Sequence, residues 1–228
     1  MSGSRFSDGL IAGIPVALGY FPIAFSFGVG AVRIGLTEVE AVGLSVIVYA
    51  GAAQFLALVL IASGAPLLVA AFTLVAMNLR HLIYGPALMR AAGDGAPRRK
   101  AWAWAFSLTD EVFGAALGAL SRGKPFSEAF MLGLGLASYG AWVGGTAAGV
   151  LAGGGALSGF PGIEAGLSFM LTALFLALLL SIMSRRQLPV IAVAAVATVA
   201  LTLTTTPTLG ILGGMLAGAA AGVARRSA

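Results

Sequence analysis

The chain has no cysteine, a single histidine and few charged residues, and each shortage excludes a class of function. Without cysteine among its 228 residues, it has no disulfide, thiolate nucleophile or cysteine metal site. His81 is the only histidine, so there is no two-histidine metal motif, and no Ser/His or Cys/His pairing is present. A Gly-rich phosphate loop followed by Lys and Ser or Thr is also lacking. We therefore predict neither an enzyme nor a metal or other cofactor.

The low charge content points to a membrane protein. Charged residues make up 9% of the chain and hydrophobic residues 59%, whereas a soluble domain carries about 25% charged residues. A soluble chain this apolar would expose large patches and aggregate. The apolar residues form continuous runs rather than a period-two alternation, and about 20 apolar residues in a helix cross a hydrocarbon core of about 30 Å. We predict an all-α, polytopic membrane helical bundle in contact with lipid.

Eight apolar segments divide the chain, and we predict six to eight membrane segments in one integral membrane domain over residues 1–228. The first segment is too long for a cleavable signal peptide, so we expect it to stay in the protein. The net charge of +5 lies mainly between segments, where the positive-inside rule puts it, and predicts no nucleic acid partner. The segments are roughly 9–31, 38–62, 65–89, 101–120, 126–152, 161–183, 188–204 and 207–224.

An internal repeat is indicated by an offset of 90 residues. We predict repeats over 9–92 and 100–184, each of three segments, followed by a helical pair at 188–224. Transporters are often built from such repeats, with the substrate site between them. Eight residues match at this offset: Glu38, Gly43, Leu44, Tyr49, Ala57, Ala62, Gly64 and Leu67.

The basic loops leave two topologies open. If all eight segments cross, the basic loops 90–100 and 121–125 fall on opposite sides, against the positive-inside rule. The conflict eases if segments 9–31 and 101–120 are re-entrant, which leaves six full crossings. The alternative is eight crossings, arranged as two inverted three-helix repeats and two further helices.

Pro15, Gly19 and Pro22 form the first candidate substrate-binding feature. Proline removes an amide donor and clashes with the preceding turn, so we expect a broken helix here. Unwound backbone at membrane depth is tolerated where it is buried in protein or lines a cavity. The other interpretation is a packing kink, because proline and glycine are common in membrane helices.

Polar residues inside two further segments are also candidates. Gln54 needs a partner, which is either another helix or the substrate. Asn78, His81 and Tyr84 are neighbours at helical spacing, with Arg80 beside Tyr84. Charges inside a membrane are functional by default, although Arg80 could also extend to the interface.

Asp110 and Glu111 are the last candidates. Two adjacent carboxylates on a helix cannot face the same way, so one could pair with Arg80 while the other serves the substrate or a proton. Alternatively this stretch lies at the interface and both carboxylates are solvated.

These motifs together resemble the AzlC family of branched-chain amino acid permeases, close to the L-valine exporter type, over nearly the whole chain. The resemblance implies a multi-pass exporter of the bacterial inner membrane that acts as a heteromer with a small AzlD-type membrane subunit. The residues that carry it are PVALGYFPIAFSFG at 15–28, YAGAAQF at 49–55, NLRHLIYGP at 78–86, LTDEVF at 108–113 and GFPGIEA at 159–165.

The sequence therefore predicts the large subunit of a secondary exporter of branched-chain amino acids; a channel or a carrier of another small solute is the alternative. A zwitterionic substrate needs partners for both charged ends, and its side chain could pack on Phe21, Phe25 or Phe113. We expect the candidate residues to converge on one cavity, with His81 or Asp110 carrying a coupling proton. Small-residue faces within 188–224, or a neighbouring face, are expected to dock the partner subunit.

Overall fold

The computed structural model describes residues 5–154 and 187–226, together with a few isolated positions between these ranges. Every regular element in these residues is helical, which confirms the all-α prediction. The predicted segment 161–183 lies outside the described stretches, as does much of the motif at 159–165.

The described helices include two stretches, Phe6–Arg33 and Leu67–Ala92, that are long and apolar enough to cross a membrane. A 3-10 turn over Ala105–Ser107 follows the short sixth helix directly. In chain order the helices are α1 (Phe6–Arg33), α2 (Glu38–Ile47), α3 (Gly51–Ala62), α4 (Leu67–Asn78), α5 (His81–Ala92), α6 (Ala101–Trp104), α7 (Asp110–Ser121), α8 (Glu128–Gly153), α9 (Leu188–Thr204) and α10 (Pro207–Arg226).

Two compact units make up the chain. The first contains residues 1–58 and 74–171, and the second contains residues 59–73 and 172–228. A hydrophobic core of the first unit joins α5, α6, α7 and α8 through buried apolar side chains, among them Leu88, Trp104, Leu108, Val112, Phe130, Met131 and Leu134.

Helix α1 runs without interruption through both of its prolines, so the predicted break near Pro15 and Pro22 is wrong. An internal proline costs a helix about 3 kcal/mol. Both prolines and Gly19 lie on the exposed face of α1, away from its packed face. Contacts along that packed face hold the helix straight, because tertiary packing supplies most helical stability in a protein.

A glycine seam joins α1 to α8, and the two helices run parallel. Residues that come later in α1 contact residues that come later in α8. A Cβ built on Gly13 would lie 2.7 Å from the Ala137 Cβ, and one built on Gly145 would lie 2.5 Å from the Phe21 carbonyl oxygen. Side chains at these glycines would force the backbones apart, so the seam depends on small residues.

Three predicted segments are broken or loosened, at positions without proline. The segment 38–62 is interrupted at residues 48–50, whereas the segment 65–89 only loosens at residues 79 and 80, where Arg80 keeps α-helical backbone angles and 3-10-type hydrogen bonds replace the α-helical ones. The segment 101–120 passes through the 3-10 turn and restarts as α7. Broken helices are therefore present as predicted, but the sequence placed the break in the wrong segment.

The described part of the second unit contains an antiparallel pair, α9 and α10. A Cβ built on Gly218 would lie 2.9 Å from the Ala194 Cβ, and one built on Gly214 would lie 3.0 Å from the Thr198 Cβ. The glycine face of α10 is thus occupied by α9. The small residues on this face therefore serve the contact within the pair.

Candidate functional site

The three helix breaks of the first unit meet at one open cleft of about 510 Å³, which we call the central cleft. Residues 47–50 line it from the first break, residues 78–86 contribute from the second, and residues 105–108 contribute from the third. Ligand sites of small molecules span about 300–1,000 Å³. The central cleft is therefore large enough for an amino acid, and unwound backbone lies at its wall.

Two side chains of the central cleft carry buried polar atoms without a hydrogen-bond partner, the Tyr49 hydroxyl and the Asn78 Oδ1. The polar neighbours of the Tyr49 hydroxyl are Thr109, at the margin of hydrogen-bonding geometry, and the Glu111 carboxylate. An unpaired buried polar group is costly, about 1–3 kcal/mol, unless a water molecule or a ligand pairs with it. The Asn78 Oδ1 accepts hydrogen bonds, whereas the Tyr49 hydroxyl can donate one.

Aromatic rings hold Tyr49 in place. Its ring centroid lies 5.1 Å from that of Tyr139, 6.2 Å from that of Phe106 and 6.4 Å from that of Trp142. The Tyr139 hydroxyl donates a hydrogen bond of 2.9 Å to the Val46 carbonyl, just before the first break. The first break is thus fixed from α8, and the Tyr49 hydroxyl keeps a defined position.

An ion pair joins the second break to the third. The Arg80 Nη1 lies 2.9 Å from the Asp110 Oδ2, and each side chain is 44% exposed. The Tyr84 hydroxyl donates to the same carboxylate, and its ring stacks on Phe113 at 4.8 Å. Asp110 also lies in the first turn of α7, where the helix dipole favours a negative charge.

Glu111 faces another helix, as expected for a carboxylate adjacent to Asp110. It accepts a hydrogen bond from the Tyr20 hydroxyl of α1. Tyr20 also lies 2.5 Å from the Thr109 Oγ1, and Thr109 is the N-cap of α7. The start of α7 is therefore fixed from two sides, by α5 through Asp110 and by α1 through Glu111.

Gln54 belongs to a buried network rather than to the central cleft. Its Oε1 accepts a hydrogen bond of 2.6 Å from the Trp142 Nε1, and its Nε2 donates to the Ser45 Oγ at 3.1 Å. Ser45 in turn lies 2.7 Å from the Thr146 hydroxyl. These partners favour the interpretation of Gln54 as a contact between helices.

Apart from Gln54 and Glu111, which contact other helices, the predicted residues separate into three groups. Asn78 and His81 line the central cleft, and the His81 Nδ1 lies 3.2 Å from the Asn78 carbonyl oxygen. Arg80, Tyr84 and Asp110 form the ion-pair cluster beside it. The third group lies on the exposed face of α1 and does not line the cleft; it consists of Pro15, Gly19 and Pro22.

Sequence reasoning missed Tyr49, Tyr20 and Thr109 as members of the site. Tyr49 could have been found, because Tyr139 matches it at the offset of 90 residues and the two rings are in contact. Thr109 followed by two acidic residues is a typical start of a helix. Nothing in the sequence singles out Tyr20. Among the described residues, no three histidine or acidic side chains lie together as a metal ion would need.

Comparison with known proteins gives consistent matches over most of the chain. Residues 15–156 match the family model described as "AzlC protein". The chain is 41% identical over 217 residues to "Inner membrane protein YgaZ" of Escherichia coli K12, which covers 94% of this chain and 88% of that protein. An "Uncharacterized membrane protein" of Archaeoglobus fulgidus is 39% identical over 215 residues, 94% of this chain and 93% of that protein. A protein of the same name from Helicobacter pylori is 30% identical over 179 residues, which covers 76% of this chain and 73% of that protein. No solved structure matches the chain.

Proposed function

The chain belongs to the AzlC family, and from this premise we propose that it is the large membrane subunit of a secondary exporter of branched-chain amino acids, L-valine among them. The relatives are named as membrane proteins, and the one from Escherichia coli is named as an inner membrane protein. The observation that carries the proposal is the central cleft, where three helix breaks and two unpaired polar atoms meet.

A multi-pass arrangement is supported by α1 and its neighbour α8. Helix α1 has 28 residues, which gives a length of about 42 Å, more than the hydrocarbon core of about 30 Å. Helix α8 has 26 residues and lies along α1 on the glycine seam. A bilayer that contains α1 would therefore contain α8, and both would cross in the same direction.

This parallel direction fixes the parity of the crossings between the two helices. Because α8 starts on the membrane face where α1 starts, the intervening chain must cross an odd number of times. If segments 38–62 and 65–89 both cross, segment 101–120 crosses too. In this proposal the segments are not re-entrant, and the basic loops 90–100 and 121–125 would lie on opposite faces.

The central cleft offers a partner for each part of a small amino acid. Both polar atoms are buried, so a side-chain rotation would be needed to let the Tyr49 hydroxyl donate to the carboxylate and the Asn78 Oδ1 accept from the ammonium group. Phe106 and Leu108 supply apolar wall for the side chain. Phe21 instead packs its backbone against Gly145 of α8, so it is not part of this wall.

The ion pair of Arg80 and Asp110 acts in this proposal as a lock across two helix breaks. A substrate carboxylate would compete with Asp110 for the guanidinium and free α5 from α7. The carboxylate of Asp110, or the imidazole of His81 at the cleft wall, would then take up the coupling proton.

The small AzlD-type membrane subunit is proposed as the partner, because the family resemblance implies it. Its docking surface would avoid the glycine face of α10, which is occupied by α9. We expect the chain to transport poorly without this partner.

The test is counterflow of labelled valine in liposomes that contain the chain with and without the small subunit. Saturable exchange that depends on both chains is expected. Uptake that rises linearly with valine concentration would instead support a channel.

Tyr49→Phe and Asn78→Ala test the site itself. Each should raise the KM for valine about ten-fold, because a hydrogen bond to a charged group contributes about 1.5–3 kcal/mol. Tyr49→Phe should leave the melting temperature unchanged or higher, since its hydroxyl has no protein partner to lose. Ser121→Ala, which removes an exposed hydroxyl outside the central cleft, is the control and should keep a normal KM. A normal KM in both cleft variants contradicts the assignment.

A further inference from the structure

A second cleft of about 530 Å³ lies next to the central cleft in the first unit. We call it the entrance cleft; charged residues at its outer end are Arg90, Asp94 and Arg98. Gly85, Pro86 and Ala105 line both clefts. The two clefts are therefore adjacent and share part of their lining on α5, which begins at the second helix break and ends near the basic loop 90–100.

The shared stretch leaves room for a solute. A Cβ built on Gly85 would have no heavy atom within 4 Å, and Ala105 is exposed. Trp104 lines the entrance cleft and is otherwise buried, where its Nε1 donates to Glu128 at 3.2 Å. The Trp104 side chain beside the entrance cleft is therefore held in place and is not free to fill the cleft.

The outer end of the entrance cleft carries an excess of positive charge. Both guanidinium groups, of Arg90 and Arg98, are exposed, and among the described residues neither forms an ion pair. Asp94 supplies a single negative charge beside them. A charged rim raises the local concentration of ligands of opposite charge and speeds their association. Exposed arginines bind carboxylates only weakly, which suits a site that solutes must leave quickly.

We propose that the entrance cleft is the route by which substrate reaches the central cleft from the side of loop 90–100, and that Arg90 and Arg98 form an access subsite for its carboxylate. This inference rests on the proposed function for the identity of the carboxylate, but its geometry does not. The chemical class is a small monocarboxylate whose amine is recognised deeper in the protein. The alternative role of the two arginines is to set membrane topology alone.

The first experiment measures thiol accessibility in the two-subunit complex. Gly85→Cys creates a single thiol, because the chain has no cysteine. It is treated with the anionic reagent methanethiosulfonate ethylsulfonate and with its cationic trimethylammonium counterpart, and each rate is normalised to that of a free thiol. A preference of about ten-fold for the anionic reagent is expected, and Arg90→Gln with Arg98→Gln should abolish it. Ala105→Cys serves the same purpose if Gly85→Cys does not assemble.

Two matched controls separate the entrance from the rest of the protein. Gly114→Cys, on the exposed face of α7 and outside both clefts, should show no dependence on the two arginines. Arg99→Gln removes a neighbouring charge that does not line the entrance cleft and should leave the reagent preference intact. Loss of the preference in Arg99→Gln, or no preference at Gly85→Cys, overturns the access subsite.

Valine protection distinguishes this inference from the proposed function. Valine should slow modification of Gly85→Cys, and Arg90→Gln with Arg98→Gln should raise the KM for valine about ten-fold while the maximal rate stays close to normal. An anionic preference without valine protection would keep the access subsite and contradict valine as substrate. Valine transport with equal reagent rates would contradict the subsite and keep the exporter.

Discussion

At the scale of single residues, the ion pair of Arg80 with Asp110 is a case in which a functional role can be told apart from a stabilising one. Both side chains are 44% exposed, and exposed ion pairs typically contribute at most about 1 kcal/mol to stability. The pair nevertheless connects two helix breaks beside the central cleft. Its removal should therefore affect transport far more than folding.

We expect Arg80→Gln and Asp110→Asn each to abolish most valine counterflow while the melting temperature of the complex changes by only a few degrees. The charge reversal, Arg80→Asp with Asp110→Arg, should restore part of the activity lost in the single variants. Lys124→Gln is a control that removes a distant positive charge. Normal affinity and rate in either neutral variant would show that the pair is only structural.

A candidate residue could be predicted from the sequence only where its residue type is unusual for an apolar segment. Arg80, Asp110 and His81 stand out as candidates in the sequence because charged or titratable groups within apolar segments are rare. Tyr49 was missed because tyrosine is ordinary in a membrane segment, and only its unpaired hydroxyl distinguishes it. Gln54 was ambiguous in sequence, since an amide needs partners in either role; Trp142 and Ser45 supply them.

At the scale of helices, local signals predicted where apolar segments lie better than where they break. The segment 188–204 coincides with α9, and the segment 126–152 is close to α8. Helix α1 stays continuous through its prolines because it packs along α8 at the seam, a contact between residues more than 100 positions apart. The break at residues 48–50 has no proline or glycine cap, and contacts such as that of Tyr139 with Val46 fix it.

Two adjacent glycines of α8 test the seam. Gly145→Ala should lower the melting temperature, because the added Cβ would lie 2.5 Å from the Phe21 carbonyl oxygen and force the backbones apart. Gly144→Ala should be neutral or stabilising, because that position is exposed with no heavy atom within 4 Å, and alanine favours a helix over glycine by about 1 kcal/mol. Thermal unfolding in detergent, followed by size-exclusion chromatography, measures both. Equal effects of the two substitutions would show that the seam does not hold the helices together.

At the scale of the whole molecule, the parallel direction of α1 and α8 makes a prediction about topology. Gly95→Cys and Lys124→Cys should react with a membrane-impermeant maleimide from opposite sides of the membrane. We expect position 95 to be cytoplasmic, because the loop 90–100 is the most basic connection in the described residues. Permeabilised cells, in which both thiols should react, provide the control. Labelling of both positions from one side would instead restore the re-entrant arrangement of segment 101–120.

The seam between α1 and α8 also has a consequence for the order of events at the ribosome. Ninety-four residues, from Ile34 to Ser127, separate the two helices, and a ribosome adds about 5–20 residues per second. Helix α1 is therefore complete about 5 to 20 s before the first turn of α8 has been synthesised. Throughout that interval the glycine face of α1 has no native neighbour, and lipids or the insertion machinery must cover it. Assembly of this chain thus cannot proceed helix by helix in the order of translation, since its first helix has to wait for its main neighbour.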